Sequence, residues 1–246
     1  RFVGRPQAKI DALALATAQE RFTADFPCPA DTLHCALAYS PHPFAQIMAI
    51  DESEARAVPG VVEVFSHQNV PRVLHSSAGQ GFPEPSPYDN LLFDSTVRFV
   101  GDRVAMVCAQ TPEAAREGVS RLRVAYRPLT PVFDPDQALQ SGSPRIPCAD
   151  AHAAIPVVYD PQRNLAAEVT IAFGDVDKAL AGSAIVQEEQ YSLPIASHCA
   201  QEPHAALAWL DERGRLNIVC TTQVPFHARR IVAKVLEIPL HRIRVI

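Results

Sequence analysis

No CxxC pair occurs in this sequence, no stretch opens with phosphate-cradling glycines, and positive charge is not in excess. Each absence removes a class of function. The six cysteines (Cys28, Cys35, Cys108, Cys148, Cys199 and Cys220) stand apart, which excludes the ligand spacing of a structural zinc or a cysteine-held iron–sulfur cluster. In a chain of this size they read as reduced, mostly buried thiols of a cytoplasmic protein, not as a disulfide framework. Neither GxGxxG nor GxxxxGK[ST] is present, so no local motif holds a dinucleotide or nucleotide phosphate. A net charge of −5 argues against a nucleic-acid partner. No apolar run reaches the roughly 18–20 residues of a membrane span, and the opening residues lack the charged-then-apolar shape of a signal peptide. There is also no initiating methionine and no internal repeat.

What is present is proline, 22 among 246 residues, with 48% hydrophobic and 20% charged residues. The proline sits mostly in connections, which points to a loop-rich α/β protein with one large or two ordinary domains. Strands are predicted over 33–39 and 45–50. Asp51 follows as an N-cap, with Glu52 and Glu54 in the first helical turn, and Pro59-Gly60 ends that helix before a β-branched strand at 61–65. Residues 71–91 break the rhythm with prolines and glycines and read as a solvated excursion. Strands follow over 97–100 and 104–109. Thr111 then caps a helix with Pro112 at its first position, where a missing N–H costs nothing. Ala114, Ala115, Val119 and Leu122 give that helix its apolar face, and 122–126 is again a strand. The α/β unit closes near residue 136, and 137–164 is a connector.

A second unit starts at Leu165. Expected elements are a strand to Phe173, a helix over 176–180, a strand over 184–191, and a hairpin of 205–210 and 215–220 turning at Asp211-Glu212-Arg213-Gly214. The last helix carries Ala228, Ile231, Val232, Val235 and Leu236 in one apolar stripe. His227, Arg230 and Lys234 form a basic row beside it, read as a solvated face. The chain ends in Ile243-Arg244-Val245-Ile246, a strand-like run. Because termini tend to be polar and exposed, the expectation is that the chain belongs to something longer.

The densest polar cluster is His198, Cys199, Gln201, Glu202 and His204. As a metal site it is poor: the histidines are six apart and Pro203 interrupts the helix that would align them. A Cys–His nucleophile is equally weak, because neighbours on an extended chain point to opposite faces. Gln223, before Pro225, can reach a ligand or close a turn.

In order along the chain, Val3-Gly4-Arg5, Asp11-Ala12-Leu13, Phe22-Thr23-Ala24-Asp25, Ser40-Pro41-His42, Pro59-Gly60-Val61-Val62, Arg98-Phe99-Val100-Gly101-Asp102 and Val124-Ala125-Tyr126 resemble the a/b hammerhead domain of the xanthine oxidase and aldehyde oxidoreductase family, the molybdenum hydroxylases. The stretch from Gln80 to Tyr88 is most similar to its bacterial xanthine dehydrogenase-like members. Gly174-Asp175-Val176, His198 with Glu202-Pro203-His204-Ala205, and Thr221-Thr222-Gln223 with Pro225-Phe226 resemble the start of the family's molybdopterin-binding region. Each motif is short; their order over nearly the whole chain is the signal.

The resemblance implies a hammerhead domain at 1–136, the connector at 137–164, and the beginning of a mixed β/α molybdopterin-binding domain at 165–246. It implies a substrate-pocket wall from Ala196, His198, Cys199, Gln201 and Glu202, a cofactor contact from Gln223, and no metal ligand or catalytic residue in this chain. The family's cofactor-reaching glycine loop and catalytic glutamate would follow Ile246, so Glu202 is not that base and the chain alone would be inactive. Ala196 stands where xanthine oxidases carry glutamine, and Ala200 where many members carry proline, which departs from the purine-specific pattern. The implied activity is hydroxylation, with water, of a C–H in a purine, an N-heteroaromatic or an aldehyde. Electrons would pass from molybdenum–molybdopterin, in a dinucleotide form, to [2Fe–2S] and FAD on partner domains or subunits of an oligomeric cytoplasmic assembly. The rival expectation is a non-catalytic assembly domain that completes its fold with a partner chain.

Overall fold

The computed structural model describes residues 3–77 and 81–246. Arg1, Phe2 and residues 78–80, the last including the start of the Gln80–Tyr88 stretch, lie outside the described residues. The elements of the first unit are α1 (Ala12–Ala16), β1 (His34–Tyr39), β2 (Ala45–Asp51), α2 (Ser53–Arg56), β3 (Val61–Ser66), β4 (Pro87–Tyr88), β5 (Thr96–Val97), β6 (Arg103–Ala109), α3 (Pro112–Arg121) and β7 (Arg123–Pro128). They are followed by α4 (Pro135–Ala138), β8 (His152–Ala153), β9 (Val158–Asp160), β10 (Leu165–Glu168), α5 (Val176–Ala181), β11 (Ala206–Leu210), β12 (Leu216–Cys220), α6 (Pro225–Leu236) and β13 (Ile243–Val245). Among the described residues no helix is long and apolar enough to cross a membrane.

The first unit is built on β6. It is the middle of the antiparallel sheet β1-β6-β3, and Val104, Ala105, Val107, Cys108 and Ala109 are all buried. A middle strand covered on both faces reads as a continuous apolar run, not an alternating one. Its beginning packs with Ala45, Ile47 and Ile50 of β2 and Val97 of β5, which belong to a second sheet ordered β5-β2-β7. Its end packs under α3, where Ala109 meets Ala114, Ala115 and Val58, and Val107 meets Val64 and Ala55. The α3 cap forms as its sequence requires: Thr111 Oγ1 accepts the Ala114 N–H at 3.1 Å with Pro112 in the first turn. At α2 the flanking residue is Glu52. Asp51 still accepts the Ser53 backbone N–H at 3.0 Å, so it supports the first turn from one position further out.

The stretch after residue 137 stays in contact with the first unit. β8 pairs with β4, Arg98 Nε donates to the Ile146 carbonyl at 2.7 Å, and Asn164 holds Ile146, Ala138 and Pro144 through its side-chain amide. In the second unit the hairpin β11–β12 runs in register from Ala206–Cys220 to Leu210–Leu216, and β13 adds to it in parallel. The hairpin turn is fixed by Asp211, whose carboxylate accepts the N–H groups of Arg213 and Arg215, each at 2.9 Å.

Four of these expectations fail. The strand begun at Leu165 ends at Glu168, and 184–191 is not a strand. A strand needs a hydrogen-bonding neighbour, and none of the described strands pairs with this segment. The 81–88 stretch is not a solvated excursion: Glu84 is 2% exposed and Pro87 is buried. The same contact overturns the solvated reading of the basic row on α6. His227 is buried, Arg230 donates to the Gly81 carbonyl at 3.1 Å and stacks over Phe82, and Lys234 Nζ lies 3.4 Å from the centre of the Tyr88 ring. The basic row is the face by which α6 docks on the first unit.

Close approach of α3 to its sheet depends on Gly118. A Cβ there would lie 2.7 Å from Val107 Cγ1 and 3.2 Å from Val61 Cγ2. Ala would add about 1 kcal/mol of helix propensity, but overpacking a fixed core costs about 1–3 kcal/mol, and Val107 has no exposed space to retreat into. Gly118→Ala is therefore expected to lower the urea midpoint of unfolding, against the sign that propensity alone predicts.

Candidate functional site

The stretch 184–204 has neither helix nor strand and is exposed along its length except at Glu202, which is half-buried. Ala196, His198, Cys199 and Gln201 are all exposed on it. Cys199 adopts φ +44°, in the left-handed region that disfavours residues with a side chain other than Asn or Asp. Its Sγ lies 3.5 Å from Ser197 Oγ, and among the described residues it bonds to neither His198 nor His204. No group of three or more His, Cys, Asp or Glu side chains among the described residues is placed to hold a metal ion. A hydrolytic Cys–His pair therefore has no geometric support.

Glu202 behaves differently from its neighbours. Its Oε1 accepts the backbone N–H of Thr23 at 2.8 Å, where Thr23 opens the short 3-10 helix Thr23–Asp25 of the first unit. Thr221 completes the joint: its hydroxyl is shared among Thr23 Oγ1 at 3.5 Å, the Pro203 carbonyl at 3.2 Å and the Ala205 N–H at 3.3 Å. The Thr221 N–H also donates to the Ala205 carbonyl at 3.1 Å. This stitch brings the His198–Glu202 segment to the Thr221-Thr222-Gln223 turn, two candidates about twenty residues apart. It also makes Glu202 an anchor of the segment, with its carboxylate committed to the first unit.

Gln223 is exposed at the entrance to α6, and its side chain has no hydrogen-bond partner among the described residues. Val224 N–H donates to Thr222 Oγ1 at 3.1 Å. The helix begins without a side-chain cap, and with Pro225 in its first turn. Pro225 has no N–H and the His227 and Ala228 N–H groups donate to the Val224 carbonyl, so the free group at the start of α6 able to bond to an oxygen- and nitrogen-rich cofactor is the Gln223 amide. Thr23 and Thr221, which hold the site together, were not singled out as site residues from the sequence; each lies within a family motif, which was the only available signal.

A cleft of about 900 Å³ separates the two units, with Cys28, Cys35 and Cys108 on the side of the first and His204 and Trp209 on the side of the hairpin. None of Ala196–Glu202 lines it. The thiols are less buried than their sequence suggests: Cys28, Cys35 and Cys199 are exposed, and all six are free.

The Glu202 carboxyl is held below the usual carboxylate range, first by the Thr23 backbone N–H, then by the Thr23 hydroxyl, with Thr221 adding to it. A depressed folded-state pKa stabilises the fold above the unfolded value of about 4.3, and this is lost as pH falls through the folded value. Glu202→Gln is expected to melt below the wild type at pH 7. The two proteins should converge in thermal melts as the pH is lowered past about 4; a constant gap would show that the charge is not what binds Thr23.

Comparison with known proteins places the chain in a family. Residues 17–130 match the family model described as aldehyde oxidase and xanthine dehydrogenase, a/b hammerhead domain. Residues 158–246 match the molybdopterin cofactor-binding domain. The chain is 34% identical over 268 residues to a probable hypoxanthine oxidase of Escherichia coli O157:H7, covering 99% of this chain and 28% of that protein. It is 31% identical to the nicotinate dehydrogenase large molybdopterin subunit of Eubacterium barkeri, over 99% of this chain and 53% of that one. The chain thus spans about a quarter to a half of the length of these relatives. Among solved structures, quinoline 2-oxidoreductase from Pseudomonas putida superposes with a TM-score of 0.73 at 27% identity, over 98% of this chain and 30% of that one. The aldehyde oxidoreductase of Desulfovibrio desulfuricans gives 0.79 at 22% identity, over 100% and 27%, a likeness of fold. With two domain matches in series and relatives aligned along nearly its whole length, the chain belongs to the aldehyde oxidase and xanthine dehydrogenase family of molybdenum hydroxylases, its hammerhead domain preceding sequence of the molybdopterin cofactor-binding domain.

Proposed function

We propose that this chain contributes the hammerhead and one cofactor-facing wall to a molybdenum hydroxylase that oxidises an electron-poor nitrogen heterocycle. The observation that carries the substrate class is that the relatives at 27–34% identity are named for hypoxanthine, nicotinate and quinoline, all aza-aromatic rings. An aldehyde substrate is the weaker reading, since the aldehyde oxidoreductase likeness rests on fold. When bound, the molybdenum–molybdopterin group supplies the oxidising centre that takes up the electrons removed from the ring carbon.

The residues of this chain orient and admit. Gln223, with an unpartnered amide at the uncapped start of α6, would hold the cofactor through hydrogen bonds. Ala196, His198, Cys199 and Gln201 would line the approach, with Ala196 leaving room for a ring and the His198 and Gln201 side chains able to pair with ring nitrogens. Glu202 fixes that segment by its bond to Thr23 and moves no proton. Electrons would leave to [2Fe–2S] and FAD on partner domains or subunits, in an oligomeric cytoplasmic assembly containing the rest of the molybdenum subunit. By itself the chain would turn nothing over.

Metal and pterin analysis of the purified assembly containing this chain tests the reading, together with turnover of hypoxanthine, nicotinate, quinoline and benzaldehyde on an artificial electron acceptor. Stoichiometric molybdenum and pterin, with a heterocycle turned over faster than benzaldehyde, is the expected result, and Gln223→Ala should lower cofactor content. Absence of molybdenum and pterin from the intact assembly would instead favour a non-catalytic assembly domain.

A further inference from the structure

Cys35 and Cys108 are 73 residues apart in sequence and take no part in the site described above. They are directly opposed in the antiparallel pair β1–β6, and their Sγ atoms are 3.1 Å apart. Among the described residues no other two thiols are in hydrogen-bond contact. Directly opposed residues of an antiparallel pair have Cα atoms about 4.5–5.5 Å apart, inside the roughly 4.4–6.8 Å range that a disulfide spans. Side-chain rotation can therefore join these sulfurs without parting the strands. Cys35 is exposed and Cys108 buried, and both line the cleft between the units.

We propose that Cys35 and Cys108 form a redox-sensitive cross-strand pair, closed to a disulfide by a peroxide and reopened by a thiol reductant. The electrostatics favour Cys35 as the attacking sulfur. The neighbouring Cys108 thiol stabilises its charged form and outweighs its burial, bringing the Cys35 pKa down to about 7. The Cys108 thiol is pushed up, first by donating to Cys35, then by burial, and also by the charges of Cys35 and Glu63. At pH 7 Cys35 is then roughly half thiolate, about fifteenfold more than an ordinary cysteine with a pKa near 8.5. Its thiolate attacks one peroxide oxygen, the O–O bond breaks, and the hydroxide released takes a proton from solvent. Cys108 sulfur then attacks the Cys35 sulfenic acid; the S–O bond breaks and the departing hydroxyl carries off the Cys108 proton as water. Two thiols and one hydrogen peroxide give one disulfide and two waters, a reversible position on the oxidation ladder of cysteine. The bond would tie β1 to the central strand of the first unit and alter the cleft wall facing His204 and Trp209.

The test is hydrogen peroxide treatment of the whole folded protein at pH 7, blocking of free thiols, and non-reducing tryptic mapping. Peptide 22–56 carries both Cys28 and Cys35, and peptide 104–116 carries Cys108, so variants must separate the two candidates. The expected result is a 22–56 to 104–116 crosslink that dithiothreitol removes, that survives in Cys28→Ser and that is lost in Cys35→Ser. A circular-dichroism melt confirms that each variant is folded. The proposal is overturned if the crosslink runs through Cys28, if Cys35 in the folded wild type advances to sulfinic or sulfonic acid without crosslinking, or if both thiols remain unmodified.

Discussion

A carboxylate with almost no contact with water stands between the two units of this chain. Glu84, 2% exposed, accepts the Tyr88 hydroxyl at 2.8 Å and faces Arg230 Nε and His227 Nδ1, each at 3.6 Å. Burying such a charge costs several kcal/mol unless it is paired and hydrogen-bonded. Burial alone would raise its pKa, but the Tyr88 bond and the charges of Arg230 and His227 oppose it, and the carboxyl remains below its usual range. Because Glu84 and Tyr88 belong to the loop of the first unit and Arg230 and His227 to α6 of the second, the carboxylate faces the Arg230 guanidinium only when the units are docked. The position of α6, and therefore of Gln223 at its start, depends on this contact.

A second joint lies across the cleft. Glu202 reaches Thr23 while Thr221 ties Pro203 and Ala205 to the turn before α6. The two joints hold the hairpin and the helix against the hammerhead, and the exposed segment bearing Ala196, His198, Cys199 and Gln201 is anchored by the second. Apart from that charged anchor the segment is exposed.

The elements that the sequence made legible are those written in local chemistry. Thr111-Pro112 names a helix start because a hydroxyl acceptor and a missing donor both fit the first turn, and Asp211 through Gly214 names a hairpin turn because the Asp211 side chain caps it. Family membership was legible from the order of short motifs. What escaped is set by contacts between distant residues. The apolar run Ala184-Ile185-Val186 favours extended backbone but cannot supply a neighbouring strand. The row His227, Arg230 and Lys234 looks solvated in any helical projection, and becomes an interface only because the loop 81–88 folds onto it. The Glu202 carboxylate is engaged by a backbone N–H 179 residues earlier, a contact that no local pattern announces. Cys35 and Cys108 became a pair only through strand register.

The dependence of this architecture on the Glu84 contact is tested most directly by a double-mutant cycle of Glu84→Gln and Arg230→Gln, read by urea unfolding. The account predicts that Glu84→Gln alone costs about 3 kcal/mol and that the pair is coupled by about 1–3 kcal/mol. Losses that simply add, to within about 0.5 kcal/mol, would contradict it.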